Sequence, residues 1–271
     1  MNNLRLHHLL PSRPRTITTT TTALTALTFL TTTTTLLVLG IRDYRAFIAL
    51  GPGGVPHNAL GWAAVTLLIR PFALSKAQAT ATDDYPQGDE EGMTREGGKA
   101  HADVLALPAR RGARAEFIRN LFANAALQNP HLLETKKSGY ERHNAALFVS
   151  AKLLEDAEAR KSLPHAAMAS SGEIGHPHPD LSIHLYVSPA DARVLIEKGW
   201  GERHRMSVPA GSLATKVIPI FGRIADTFLM IYGPRDEEEM AVLQTILRNG
   251  IRFMTGRDDF EVPEWKVRVG Q

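Results

Sequence analysis

Charge is absent from residues 16–40, a run of 25 positions in which threonine is interleaved with leucine, alanine and phenylalanine, "TITTTTTALTALTFLTTTTTLLVLG". A helix that crosses a bilayer needs about 20 uncharged, mostly apolar residues. A threonine hydroxyl can be accommodated in such a helix by bonding a carbonyl one turn back. The alternative is a structureless low-complexity tract, but the apolar residues at 23, 24, 26, 27, 29 and 30, and then at 36–39, favour a helix. The pattern predicts a single N-terminal anchor over residues 1–40. No small-residue cleavage site of the kind that follows a signal peptide's apolar core is visible. Arg5, Arg13, Arg15 and the amino terminus precede the run, and Arg42, Asp43 and Arg45 follow it. Counting by the positive-inside rule leans, by a margin of about two charges, to a cytoplasmic N-terminus. A single-pass protein of the endomembrane system, such as the endoplasmic reticulum, is the expectation.

Residues 41–74 form a juxtamembrane segment. Its Gly-Pro-Gly-Gly turn at 51–54 stops any helix begun near Asp43. The apolar run at 59–69 is only eleven residues long, too short to span, and reads as a buried or membrane-surface helix ended by Pro71. Residues 75–101 are acidic, glycine-rich and without periodicity, so a flexible loop is expected there. The remainder, 102–271, is predicted to be one domain. In it, "LSIHLYV" at 181–187 and "DTFLMIYG" at 226–233 read as strands, and 145–151 as a further strand of the same sheet. A helix should begin at Ser188 as cap with Pro189 in its first turn, and stop at Gly199. Another should follow Pro234, carrying Asp236 to Glu239 in its positive first turn, with Met240, Leu243, Leu247, Ile251 and Met254 on one face and Gly256 at its end. The expected class is therefore α+β, a small sheet with helices packed on it.

Composition narrows the chemistry. The 271 residues contain no cysteine, which excludes disulfides, thiolate-bound zinc, iron–sulfur clusters and thiol catalysis. A net charge of +3 with no recognisable module or basic face gives no reason to expect a nucleic-acid partner. There is no phosphate-binding loop, dinucleotide fingerprint or G-x-S-x-G elbow.

Histidine is the residue that clusters. Of eleven in the chain, His176, His178, His184 and His204 fall within "GEIGHPHPDLSIHLYV" and "EKGWGERH" or just beside them. Three readings stay open: proton transfer, a metal site, and polar residues with a structural role. Histidine has the right basicity for proton transfer near neutrality. His176 and His178 are two apart, and on an unbroken strand His184 would keep their parity. Those three, with Glu173 or Asp180, would satisfy zinc or ferrous iron. Pro177 and Pro179 interrupt such a strand, however, and His184 alone also reads as a core histidine. His7, His8, His57, His101 and His165 read as surface residues. In "YERHNAAL", Glu141 reads as structural, and His143 stays open.

The blocks "IRDYRAFIALGPGGVPHN", "LPARRGAR", "GEIGHPHPDLSIHL", "EKGWGERH" and "IYGPRDEEEMAVLQTILRNGIRFMTG", in this order after an apolar anchor, resemble the fungal luciferase family. That family includes enzymes that oxidise 3-hydroxyhispidin with molecular oxygen. The chain departs from it in a shorter turn, "PDLS", between its second and third clustered histidines, and in residues 206–225, which have no clear counterpart. The resemblance implies an oxygenase acting on a hydroxypyrone, a small polyketide-like aromatic, with O2 and without a redox cofactor, with or without light emission. For that chemistry His176, His178, His184 and His204 would move protons, Arg203 would face anionic oxygens, and Trp200 and Tyr232 would stack on a flat substrate. The alternative is a non-luminous, membrane-tethered ligand-binding protein, or one that depends on a histidine-bound metal.

Overall fold

The computed structural model of the protein describes residues 16–86, 113–209 and 211–270. The expected loop at 75–101 lies outside the described residues from position 87 onward. The chain divides into two units at Gly51 and Pro52.

The first unit is helix α1 (Thr16–Ala49), 34 residues long. Its threonines use the expected device: the hydroxyls of Thr25, Thr28 and Thr35 donate to the carbonyls of Thr21, Leu24 and Thr31 at 2.7–2.8 Å. Residues 21–49 are long and apolar enough to cross a membrane. At 1.5 Å per residue, 29 residues rise roughly 44 Å, more than the ~30 Å hydrocarbon core. The helix does not stop at Gly40. It runs on through Arg42, Asp43 and Arg45, so residues 41–49 extend it rather than starting a second helix, and it ends just before Gly51 at φ +81°.

The second unit is built on a six-stranded antiparallel sheet. Its strands are β1 (Leu133–Lys137), β2 (Ala145–Val149), β3 (Glu173–Pro177), β4 (Ile183–Tyr186), β5 (Gly201–Arg203) and β6 (Phe228–Ile231), in the spatial order β1-β2-β3-β4-β6-β5. The α+β expectation holds, and the strands read at 145, 181 and 226 are all members of the sheet.

Outside α1, the helices that position the sheet are α2 (Ala59–Ala64), α3 (Ala113–Gln128), α4 (Pro189–Glu197) and α5 (Glu237–Thr255). Helix α4 begins as read: the Ser188 hydroxyl accepts the Asp191 amide, and Gly199 at φ +77° closes the segment. Helix α5 is capped by Asp236 and ends at Gly256, φ +63°. It packs with α3 against β3, burying Met240, Leu243, Leu247, Ile251 and Met254. Ile183 and Leu185 join that core. Period-two alternation then turns His184 and Tyr186 to the opposite face.

The 59–69 run is helical, and of its two expected placements the buried one does not hold. Helix α2 continues as a wider turn over Val65–Ile69 and a tight one over Arg70–Phe72. Leu60, Leu67 and Leu68 are exposed, so the segment is not a buried core helix. Pro71 falls in its last turn, as expected of a residue that cannot continue the ladder.

Candidate functional site

The site lies on the sheet face opposite α3 and α5. Antiparallel pairing places His176 of β3 directly across from His184 of β4. The histidines are therefore gathered by a hairpin, not by the parity of one continuous strand. Strand β3 ends at Pro177, and the turn is closed by the His178 amide on the Ser182 carbonyl at 2.8 Å. His178 and His184 rings come within 4.4 Å of each other, centroid to centroid, and His204, just past β5, lies 4.8 Å from His184. The four histidines singled out from sequence form one contiguous cluster.

Glu173 is drawn into it by a bulge. In a regular strand, residues three apart point to opposite faces. Here the β2–β3 register shifts between Leu147 and Phe148, which face Gly175 and Glu173. That irregularity lets the Glu173 carboxylate reach His176 Nδ1 at 2.7 Å. Glu173 is fully buried and also accepts the Ser138 hydroxyl and the Gly139 amide, each at 2.8 Å. It thus pins the β1–β2 loop over the hairpin.

That loop carries Glu141, read from sequence as structural, into the middle of the cluster. Its carboxylate oxygens lie 2.9 Å from His178 Nε2 and 3.7 Å from His176 Nε2. Burial disfavours its charge, but the imidazoles of His176 and His178 outweigh that and hold the carboxyl far below the usual range. Burial likewise works against a charged His176, yet Glu141 and Glu173 lift it to about 8. The two remaining rings are neutral. Burial and the neighbouring imidazoles push His204 down to about 4 and His184 well below its ordinary value.

Hydrogen bonding sets the tautomers. Ser182 Oγ donates its one proton to Asp180 at 2.7 Å, so it can only accept from His178 Nδ1, 2.8 Å away. His176 Nδ1 faces a carboxylate and carries a proton for the same reason. His204 is reversed: its Nδ1 accepts the Met206 amide at 3.1 Å, which leaves the proton of the neutral ring on Nε2.

A cavity of about 270 Å³ opens beside the cluster. Glu141, His184 and His204 are its titratable wall, and Tyr140, Phe228 and Ile224 are among its apolar lining. Phe228 stacks on Tyr186 at 4.4 Å, and the two phenols of Tyr140 and Tyr186 share a 2.9 Å hydrogen bond. Burial raises Tyr140 to about 12, so this wall is uncharged.

The three residues expected to bind substrate are placed elsewhere. Trp200 is buried in the main core. Arg203 is buried and pairs with Asp84 while its guanidinium lies over the Tyr85 ring at 4.0 Å. The Tyr232 hydroxyl faces Glu202 at 3.4 Å. None of the three lines the cavity, because β5 and β6 turn them toward other neighbours. The set expected for a metal also changes. Glu141, not His176, joins His178 and His184 in offering three ligand atoms within 4.8 Å of one another. His143 is exposed, its Nδ1 2.6 Å from the Glu141 carbonyl.

Together these features define a single α+β domain whose sheet carries a histidine–carboxylate cluster beside an aromatic cavity. Residues 171–250, which hold all four clustered histidines and helix α5 as far as Gly250, match the family model described as Luciferase domain. Proteins named Luciferase from Armillaria mellea and Armillaria gallica are each 25% identical over 229 residues, covering 79% of this chain and 81% of theirs. The Luciferase of Neonothopanus nambi is 25% identical over 227 residues, 79% of this chain and 80% of its own. The chain is a relative of the fungal luciferases. No solved structure matches it.

Proposed function

We propose that this protein is a membrane-anchored oxygenase that adds O2 to a hydroxypyrone of the 3-hydroxyhispidin type, with or without light emission. The observation that carries the reading is the cavity: an aromatic and aliphatic lining with Glu141, His184 and His204 as its titratable groups. A flat, electron-rich pyrone suits such walls. Oxygen addition needs the enol to lose its proton, and the enolate then forms a C–O bond to O2, leaving a peroxide anion that must be stabilised and protonated. Glu141 and His184 face the enol from the cavity wall, and His176 and His178 stand behind Glu141 rather than on the substrate. His204, with its proton on Nε2, is the hydrogen-bond donor for the oxygen-derived anion. Anchoring is supported by the apolar length of α1 and by its self-satisfied threonine hydroxyls.

The test uses the full chain in detergent, mixed with 3-hydroxyhispidin in air, with oxygen consumption and photon emission recorded together. Oxygen uptake above the uncatalysed rate is expected; its absence overturns the oxygenase reading, and light distinguishes the luminous from the dark outcome. Alkaline carbonate washing of membranes tests the anchor: the full chain should stay in the pellet, and a chain lacking residues 16–40 should be released.

A further inference from the structure

We propose that Glu141, His178 and His184 form a binding site for a divalent first-row transition ion. The inference concerns the same cluster but does not rest on the oxygenase reading. Its basis is a convergence of ligand atoms: one carboxylate oxygen of Glu141 and one ring nitrogen each of His178 and His184 lie within 4.8 Å of one another. Ser182, whose own proton goes to Asp180, accepts from His178 Nδ1 and so turns His178 Nε2 inward. That nitrogen stands 2.9 Å from a Glu141 oxygen.

The unsatisfied atoms converge. Among the described residues, His176 Nε2, His178 Nε2 and His184 Nδ1 are all buried without a hydrogen-bond partner. Polar atoms in folded proteins are seldom left this way, and two of the three, on His178 and His184, are nitrogens of the proposed ligand set. His178 has the outer contact that metal-binding histidines use: its Nδ1 is held by the Ser182 hydroxyl oxygen, which orients Nε2 inward. His204 has the opposite tautomer and is not part of the set.

Two imidazoles and one carboxylate, with no thiolate in the chain, select ions of the zinc and ferrous class over calcium or magnesium. Because the carboxylate and His184 also line the cavity, an ion held there would face whatever the cavity admits.

Cobalt(II) is a suitable probe, since its visible absorption reports nitrogen and oxygen ligation directly. The full chain in detergent, stripped with chelator, is titrated with cobalt(II), and its thermal unfolding is followed with and without zinc. One equivalent bound, with a rise in melting temperature, is expected for the wild type. Glu141→Gln and His178→Gln should each weaken binding at least about ten-fold, and the exposed-helix control His165→Gln should not. Absence of saturable cobalt uptake by the wild type overturns the proposal, as does unchanged uptake in both variants. Oxygen consumption plays no part in the readout, so loss of the oxygenase reading would leave this result standing, and the reverse.

Discussion

His176 and His184 are directly paired across the β3–β4 ladder, their ring centroids 5.4 Å apart. Eight positions of chain therefore collapse into one cross-strand neighbour, and the two rings differ sharply in surroundings. His176 stands between two carboxylates and favours its proton. His184, fully buried against other imidazoles, does not. One hairpin thus holds a cationic and a neutral imidazole in contact.

The clamp that sustains this pairing is Glu173. Replacing it with glutamine keeps the volume but loses the charge-assisted contacts to His176, Ser138 and the Gly139 amide. We expect Glu173→Gln to cost roughly 1–3 kcal/mol of unfolding free energy, since buried groups are left poorly paired. Urea denaturation of the detergent-solubilised protein measures it, and a variant as stable as the wild type would show that the clamp carries no weight.

His204→Ala should lower turnover of 3-hydroxyhispidin by about 10²-fold, the usual loss when a single anion-stabilising donor is removed. The change should appear in kcat more than in KM, because the donor acts on charge that develops after binding. Steady-state oxygen consumption resolves the two constants; an effect confined to KM would reassign His204 to ground-state binding.

Gly250 lies inside α5, where alanine would ordinarily gain about 1 kcal/mol of helix propensity. A Cβ there would sit 2.8 Å from the Tyr186 carbonyl oxygen and 3.3 Å from the Leu185 methyls. Backbone cannot yield as a side chain does, so overpacking at about 1–3 kcal/mol wins. Gly250→Ala should therefore lower the melting temperature, contrary to the propensity scale.

The Asp84–Arg203 pair sets an acid limit. Hydrogen bonding from Arg203 holds the Asp84 carboxyl below its usual range, against a smaller opposing effect of burial. A depressed folded value means that the unfolded chain binds the proton more readily. The pair's contribution is present above the ordinary carboxyl range near 3.8 and is lost as pH falls through the lower folded value. In Asp84→Asn this part of the acid dependence should vanish. Unfolding curves of the two proteins between about pH 5 and pH 2 should converge toward the acid end; parallel curves would exclude the linkage.

Much of this architecture was legible along the chain because it depends on local rules. Ser188, Pro189 and Gly199 bracket α4, and the five apolar residues of α5 recur at helical spacing whatever their partners. The four histidines could be grouped by position alone. What escaped was long-range. Glu141 enters the cluster through contacts with His176 and His178, more than thirty residues away, and nothing in "YERHN" announces them. The position of Trp200, Arg203 and Tyr232 away from the cavity has the same origin. Their types suit a flat anionic substrate, but strand register sends Arg203 to Asp84 and Trp200 into the core.

The hairpin turn also limits how this domain can diverge. Residues can be added at the tip, between Pro179 and Leu181, because they would bulge away from the ladder. A single residue added within β3 or β4 would exchange the faces of everything beyond it. His184 and Tyr186 would then be driven into the apolar layer beneath α5, and Leu185 into the cavity. Variation among such domains is thus channelled into turn length, while the paired segments evolve only by replacement in place.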